Sequence, residues 1–273
     1  MSRTVFFLSD QTGVTAETLG RSMLAQFVDL DYHPVTLPFV STPDAARDAV
    51  DRIQATGRAD GVRPIVFSTL AQGDLRDIVR GADALCLDFF AAFLTPVSQE
   101  LSMEVSRTPA KAHGIADKGA YSHRIEATHY ALANDDGGAT RDYERADLIL
   151  VGVSRCGKTP TCLYLALQYG IFAANYPLAD EEFESGRLPA ALVKHRHKLH
   201  GLTIAPDRLQ QIRQERKPDS RYASAGQIAF ELRAAEAIFQ RNGIPYLDAT
   251  ECSVEELASR ILQRTGLERR ANV

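Results

Sequence analysis

Eight consecutive residues, Gly152-Val153-Ser154-Arg155-Cys156-Gly157-Lys158-Thr159, satisfy the pattern G-x-x-x-x-G-K-[ST] at every fixed position. Such a turn lets consecutive backbone N–H groups converge on an anion, and the positive end of the following helix dipole adds to the attraction. By position, Lys158 would reach the terminal phosphates of a bound nucleotide and the Thr159 hydroxyl would ligate Mg²⁺. Arg155 sets a second cation inside the loop. Pro160 falls in the first helical turn, where a missing N–H costs little. The chemistry implied is phosphoryl transfer.

That reaction also calls for an acidic residue to hold the metal or orient the nucleophile. Two candidates follow apolar runs of the second half. Asp207, beside Arg208 in an expected loop, is the preferred catalytic group, while Asp248 precedes Ala249-Thr250 and suits a helix cap. Arg208, Arg213, Arg216, Lys217 and Arg221 form a basic stretch, suited to clamp a phosphoryl group or to pair with Glu215 and Asp219 along a helix face. Lys194-His195-Arg196-His197-Lys198 with His200 offers imidazoles, but the interleaved cations disfavour a bound dication, so a solvated or phosphate-facing segment is expected. Near the start, Ser9-Asp10-Gln11-Thr12-Gly13-Val14-Thr15 carries hydroxyls, a carboxylate and a glycine where a first strand would end. A second anion or substrate site and a capped turn are both open there.

The elements that must position these groups alternate. Asp147-Leu148-Ile149-Leu150-Val151 supplies an apolar run before the loop, and Leu163, Leu165, Ala166, Leu167 and Tyr169 suit a helix packed on a sheet after it. In the first hundred residues, short apolar runs at 5–8, 35–40, 65–67 and 85–87 are spaced for helical crossovers. Leu19, Met23 and Phe27 predict the apolar face of one crossover helix, and Ala45, Ala49 and Ile53 that of the next. The pattern breaks from about 106, with Thr108-Pro109, His113-Gly114, a helix near 123–132 and the turn-forming Asn134-Asp135-Asp136-Gly137-Gly138. Strands then resume at 148–153, 171–174, 202–205 and 244–247. A helix over 224–240 follows Ile228, Leu232, Ala235 and Phe239, and Ser253 with Glu256 opens the last one as a capping box. The fold class is therefore α/β, as two parallel-sheet halves of which the C-terminal one is a P-loop kinase-like domain. The expected divisions are an N-terminal α/β domain at 1–105, a connecting segment at 106–144 and a nucleotide-binding domain at 145–273.

Composition narrows the setting. Of 273 residues, 45% are hydrophobic and 24% charged, ordinary for a soluble globular chain, and the net charge of −4 does not advertise nucleic acid or an anionic membrane. No run approaches the roughly 20 apolar residues that span a bilayer. The apolar start is too short for a secretory signal and reads as a strand. The four cysteines, at 86, 156, 162 and 252, show no zinc spacing, and a reduced thiol is expected in the loop at Cys156, which favours the cytoplasm.

Several of these segments, taken together, resemble one family. Gly152 to Pro160, followed by Leu163-Tyr164-Leu165-Ala166 and Ala173-Ala174-Asn175-Tyr176-Pro177-Leu178, is similar to the pyruvate, phosphate dikinase regulatory protein family. The likeness extends to Ser9-Asp10-Gln11-Thr12-Gly13, Arg124-Ile125-Glu126-Ala127, Asn134-Asp135-Asp136-Gly137, Gly201-Leu202-Thr203-Ile204 and Ser220-Arg221-Tyr222-Ala223-Ser224, nearly the whole chain. Its Cys156-Gly157 form of the loop looks like the branch acting on phosphoenolpyruvate synthase. The resemblance implies a bifunctional regulator. It would phosphorylate a threonine of that enzyme with ADP as donor, and remove the phosphoryl group with inorganic phosphate, releasing pyrophosphate. Residues 152–159 would hold the nucleotide, Thr159 the Mg²⁺, and Lys158 the transferred group, with Asp207 accepting the threonine proton. The alternatives are an ATP-dependent small-metabolite kinase and a nucleotide-sensing module that transfers nothing. An oligomer is compatible with all three.

Overall fold

The computed structural model describes residues 3–106, 118–138 and 140–268 and divides the chain into two compact units, 1–114 and 115–273. The turn signals at Thr108-Pro109 and His113-Gly114 lie outside the described residues.

The N-terminal unit alternates strictly: β1 (Arg3–Ser9), α1 (Val14–Leu24), β2 (Tyr32–Leu37), α2 (Pro43–Asp60), β3 (Ile65–Thr69), α3 (Gly73–Arg80), β4 (Leu85–Asp88) and α4 (Phe89–Leu101). Its strands form a parallel sheet in the order β2-β1-β3-β4. Phe6, Leu8 and Val66 bury into one apolar cluster and Val5, Phe7 and Phe67 into another, as expected for side chains that alternate across a sheet covered on both faces. On the second face Phe7, Phe67 and Phe89 stack, with centroids 5.9 Å and 5.6 Å apart.

Helix α1 does not turn the expected face inward. Leu19, Met23 and Phe27 are exposed, while Ala16, Gly20 and Leu24 are buried. The reason is close approach. A Cβ on Gly20 would sit 2.5 Å from the Phe7 ring and 2.7 Å from the Phe67 ring. The helix lies so near the aromatic stack that only a small-residue face fits.

The C-terminal unit contains α5 (Lys118–Ala133), two 3₁₀ turns (Asp135–Gly137 and Thr140–Glu144), β5 (Leu148–Gly152), α6 (Lys158–Tyr169), β6 (Ala173–Pro177), α7 (Asp180–Ser185) and α8 (Ala190–Val193). A third 3₁₀ turn (Arg196–Lys198), β7 (Leu199–Thr203), α9 (Pro206–Arg216), a fourth (Arg221–Ala223), α10 (Ala225–Asn242), β8 (Tyr246–Asp248) and α11 (Val254–Thr265) complete it. The sheet is again parallel, in the order β6-β5-β7-β8. Much of the stretch expected to connect the halves is structure of this unit. Ala127, Tyr130, Ala131 and Tyr143 join its core, and Tyr130 packs on Phe172 at 5.2 Å. β7 begins three residues earlier than its apolar run suggests, because His200 is buried in the strand beside Gly201. Among the described residues no helix is long and apolar enough to cross a membrane.

Candidate functional site

Strand β5 is buried along its whole length and lies between β6 and β7. Its carboxyl end is the place where the chain connects to neighbours on either side, the usual crevice for a ligand in an open α/β sheet. Gly152 ends the strand where a Cβ would lie 2.4 Å from the Leu202 carbonyl oxygen, so the loop leaves the sheet hard against β7. It closes at Gly157, whose left-handed φ of 94° and missing side chain leave α6 without a side-chain cap. The N–H groups of that first turn are thus free to meet an anion.

Lys158 is 4% exposed, and its ammonium donates to the Val153 carbonyl at 2.8 Å. The loop thus supplies an acceptor for its own lysine. The Thr159 hydroxyl donates to the Asp135 carboxylate at 2.7 Å. Asn175, buried in β6, holds this arrangement from behind. Its amide donates to Asp135 and to the Thr159 hydroxyl, and its carbonyl accepts from the Asp136 N–H at 3.0 Å. A threonine hydroxyl beside a carboxylate is a set of hard oxygen donors, which fits Mg²⁺.

On the other flank, Arg213 is fully buried. It donates to Glu231 at 2.7 Å, to the Ser154 carbonyl at 3.1 Å and to the Tyr222 carbonyl at 3.0 Å, with its guanidinium 4.1 Å from the Tyr222 ring centroid. The hydroxyls of Tyr222 and Ser154 meet at 3.0 Å. A cavity of about 780 Å³ is lined by Asp135, Asp136, Lys158, Thr159, Arg216, Lys217 and Tyr222, among others.

The two expected acids are elsewhere. Asp207 lies exposed in the first turn of α9 and does not line the cavity, to which that helix contributes Ile212 and Arg216 nearer its other end. Asp248 accepts from the Thr250 N–H at 2.8 Å and bonds its hydroxyl as well, closing a local turn. Asp135 and Asp136 occupy the acidic position instead. The signal was the Asn-Asp-Asp-Gly turn itself, but a turn signal gives no direction, and only β6 brings it to the loop. Ser9–Gly13 belongs to the N-terminal unit, where the buried Asp10 carboxylate accepts the Ala71 N–H at 3.1 Å. The basic-histidine segment is not wholly solvated. His195 is buried edge-on to Tyr143, and burial lowers the pKa of His200. Among the described residues no cluster of side chains could hold a metal through His, Cys, Asp and Glu alone, and the four cysteines are free. Burial pushes the Cys162 thiol well above its ordinary range, which disfavours the thiolate.

The pattern of the kinase/pyrophosphorylase family matches residues 5–262. The chain belongs to that family. A relative from Alcanivorax borkumensis is 56% identical over 270 residues, covering 99% of each chain, and bears the name of a phosphoenolpyruvate synthase regulatory protein. Relatives with the same name from Pseudomonas putida GB-1 (52% identical, 99% of each chain) and Pseudomonas aeruginosa LESB58 (53%, 99% of this chain and 98% of the relative) match over the same length.

Proposed function

We propose that this kinase/pyrophosphorylase regulates a phosphoenolpyruvate synthase by reversible phosphorylation of a threonine, with ADP as donor and with inorganic phosphate as acceptor in the reverse direction. The observation that carries the reading is the 2.7 Å contact between Thr159 and Asp135, both of which line a cavity of about 780 Å³ together with a buried Lys158. That volume is within the range of about 300–1,000 Å³ usual for small-ligand sites. The names of the full-length relatives supply the partner.

The loop N–H groups and Lys158 would bind the diphosphate, with the ammonium exchanging the Val153 carbonyl for a phosphate oxygen. Thr159 and Asp135 would hold Mg²⁺, which supplies charge neutralisation on the diphosphate. Asp136 lines the cavity, and its carboxylate makes no hydrogen bond among the described residues, so it is the group free to accept the threonine proton. Asn175 keeps its backbone in place.

The test is incubation with purified phosphoenolpyruvate synthase and ADP labelled on the β-phosphate. Label on a threonine of the partner, released as pyrophosphate on addition of phosphate, is the expected result. Absence of label from ADP, with transfer from ATP to small metabolites instead, would replace this reading by a metabolite kinase.

A further inference from the structure

Four arginines on the helices are paired with a carboxylate of their own helix: Arg21 with Glu17, Arg47 with Asp44, Arg80 with Asp77, Arg260 with Glu256. Three cations on the wall of the cavity are not. The side chains of Arg155, Arg216 and Lys217 make no hydrogen bond or ion pair among the described residues, although Glu215 and Asp219 are their neighbours in sequence. Their placement is built rather than incidental. Arg213, one turn before Arg216 in α9, anchors that helix to the Ser154 carbonyl and is itself anchored by Glu231. The next residue, Arg155, is held at a left-handed φ of 76°, a conformation costly for a residue with a Cβ.

The acidic and basic walls face different needs. Asp135 and Thr159 suit a metal, and a diphosphate on that metal already has Lys158 and the helix N-terminus. An anion that reacts without a metal of its own needs cations of its own. We propose that Arg155, Arg216 and Lys217 form a second phosphate subsite, which receives a phosphate dianion beside the group held by the loop. This rests on the reading of the cavity given above and specifies how its reverse reaction is accommodated. An oxygen of hydrogen phosphate forms a bond to the phosphorus of phosphothreonine and the threonine Oγ–P bond breaks. The proton of hydrogen phosphate ends on Oγ, leaving threonine and pyrophosphate. The dianion in the subsite is either that free phosphate or the phosphorylated side chain.

The experiment is calorimetric titration of the full-length protein, saturated with ADP, by inorganic phosphate and separately by a phosphothreonine peptide. At least one should bind together with ADP. Arg216→Gln and Lys217→Gln should each weaken it about tenfold or more, with ADP affinity changed less than about twofold. The probe so affected identifies the source of the dianion. Strict competition of both probes with ADP, or binding indifferent to both substitutions, would overturn the subsite. If ADP itself does not bind, the functional reading fails while the subsite is still tested, by the effect of the same variants on phosphate binding to the free protein.

Discussion

The two units share one sheet plan and differ in the turn after the first strand. Each sheet has its second strand outside its first, then the third and fourth on the other side, all parallel. In each, the first strand runs into a helix whose N-cap is a left-handed glycine without a side-chain cap, Gly13 at 84° and Gly157 at 94°. The turns between are opposites. In the N-terminal unit several polar groups hold loops together: one Asp10 oxygen accepts from the Ala71 N–H, Ser9 Oγ from the Gln11 N–H, and the Gln11 carbonyl from the Phe39 N–H, while the other Asp10 oxygen is buried without a partner. In the C-terminal unit the longer loop turns a lysine, a threonine and an uncapped helix toward a cavity. Topology supplies the place, and the residues in the turn decide whether it binds anything.

The largest expected effect separates the two turns. Lys158→Ala should lower transfer from ADP by roughly 10³-fold, as removal of one key charge-stabilising donor does. Asp10→Asn should leave ADP affinity unchanged in the same titration; loss of binding there would end the division of labour. Next comes the acidic wall. Asp136→Asn should reduce kcat about 10²-fold at nearly constant affinity for ADP, whereas Asp207→Asn should stay within about twofold. Steady-state kinetics with both variants decides between the turn after α5 and the start of α9.

Packing gives a smaller contrast. Gly20→Ala drives a methyl into the Phe7–Phe67 stack and should cost about 1–3 kcal/mol in denaturant unfolding. Gly226→Ala, with open space around it in the first turn of α10, should be neutral or stabilising by about 0.4–1 kcal/mol. The smallest effect is in pH. Burial, assisted by the charge of Arg264, keeps the His200 pKa below its ordinary 6.5 although the Gly201 carbonyl opposes the shift. The unfolded chain then takes up a proton that the folded one refuses. The associated stability is complete above pH 6.5 and is lost as pH falls from there through the folded pKa. Replacing His200 by Asn should flatten that part of the acid-unfolding curve, and an unchanged slope would place the titration elsewhere.

Where the sequence was a good guide, the physics was local. The apolar run 148–151 and the glycines of 152–157 had to make a buried strand and a tight turn into a helix, because close-range backbone sterics and hydrogen bonding dictate both. The capping Ser253 did accept the Glu256 N–H at 3.2 Å. Where it misled, the deciding neighbour was distant. Leu19, Met23 and Phe27 have helical spacing, but Phe7 and Phe67 on the sheet leave room only for the face with Gly20. His200 and Arg213 carry charge-bearing side chains, yet strand pairing encloses one and Glu231 with Tyr222 encloses the other.

By itself, then, the sequence determined the α/β alternation, the loop at 152–159 and the class of chemistry, since each is set by residues within a few positions of one another. Only the tertiary structure decided which carboxylate meets the loop. Asp135 stands 24 residues from Thr159 in the chain and 2.7 Å from it in space. Asn175, a further 16 residues along, joins the two through the sheet. No spacing rule encodes such a contact, because it depends on where a strand and a turn meet after the whole core has closed.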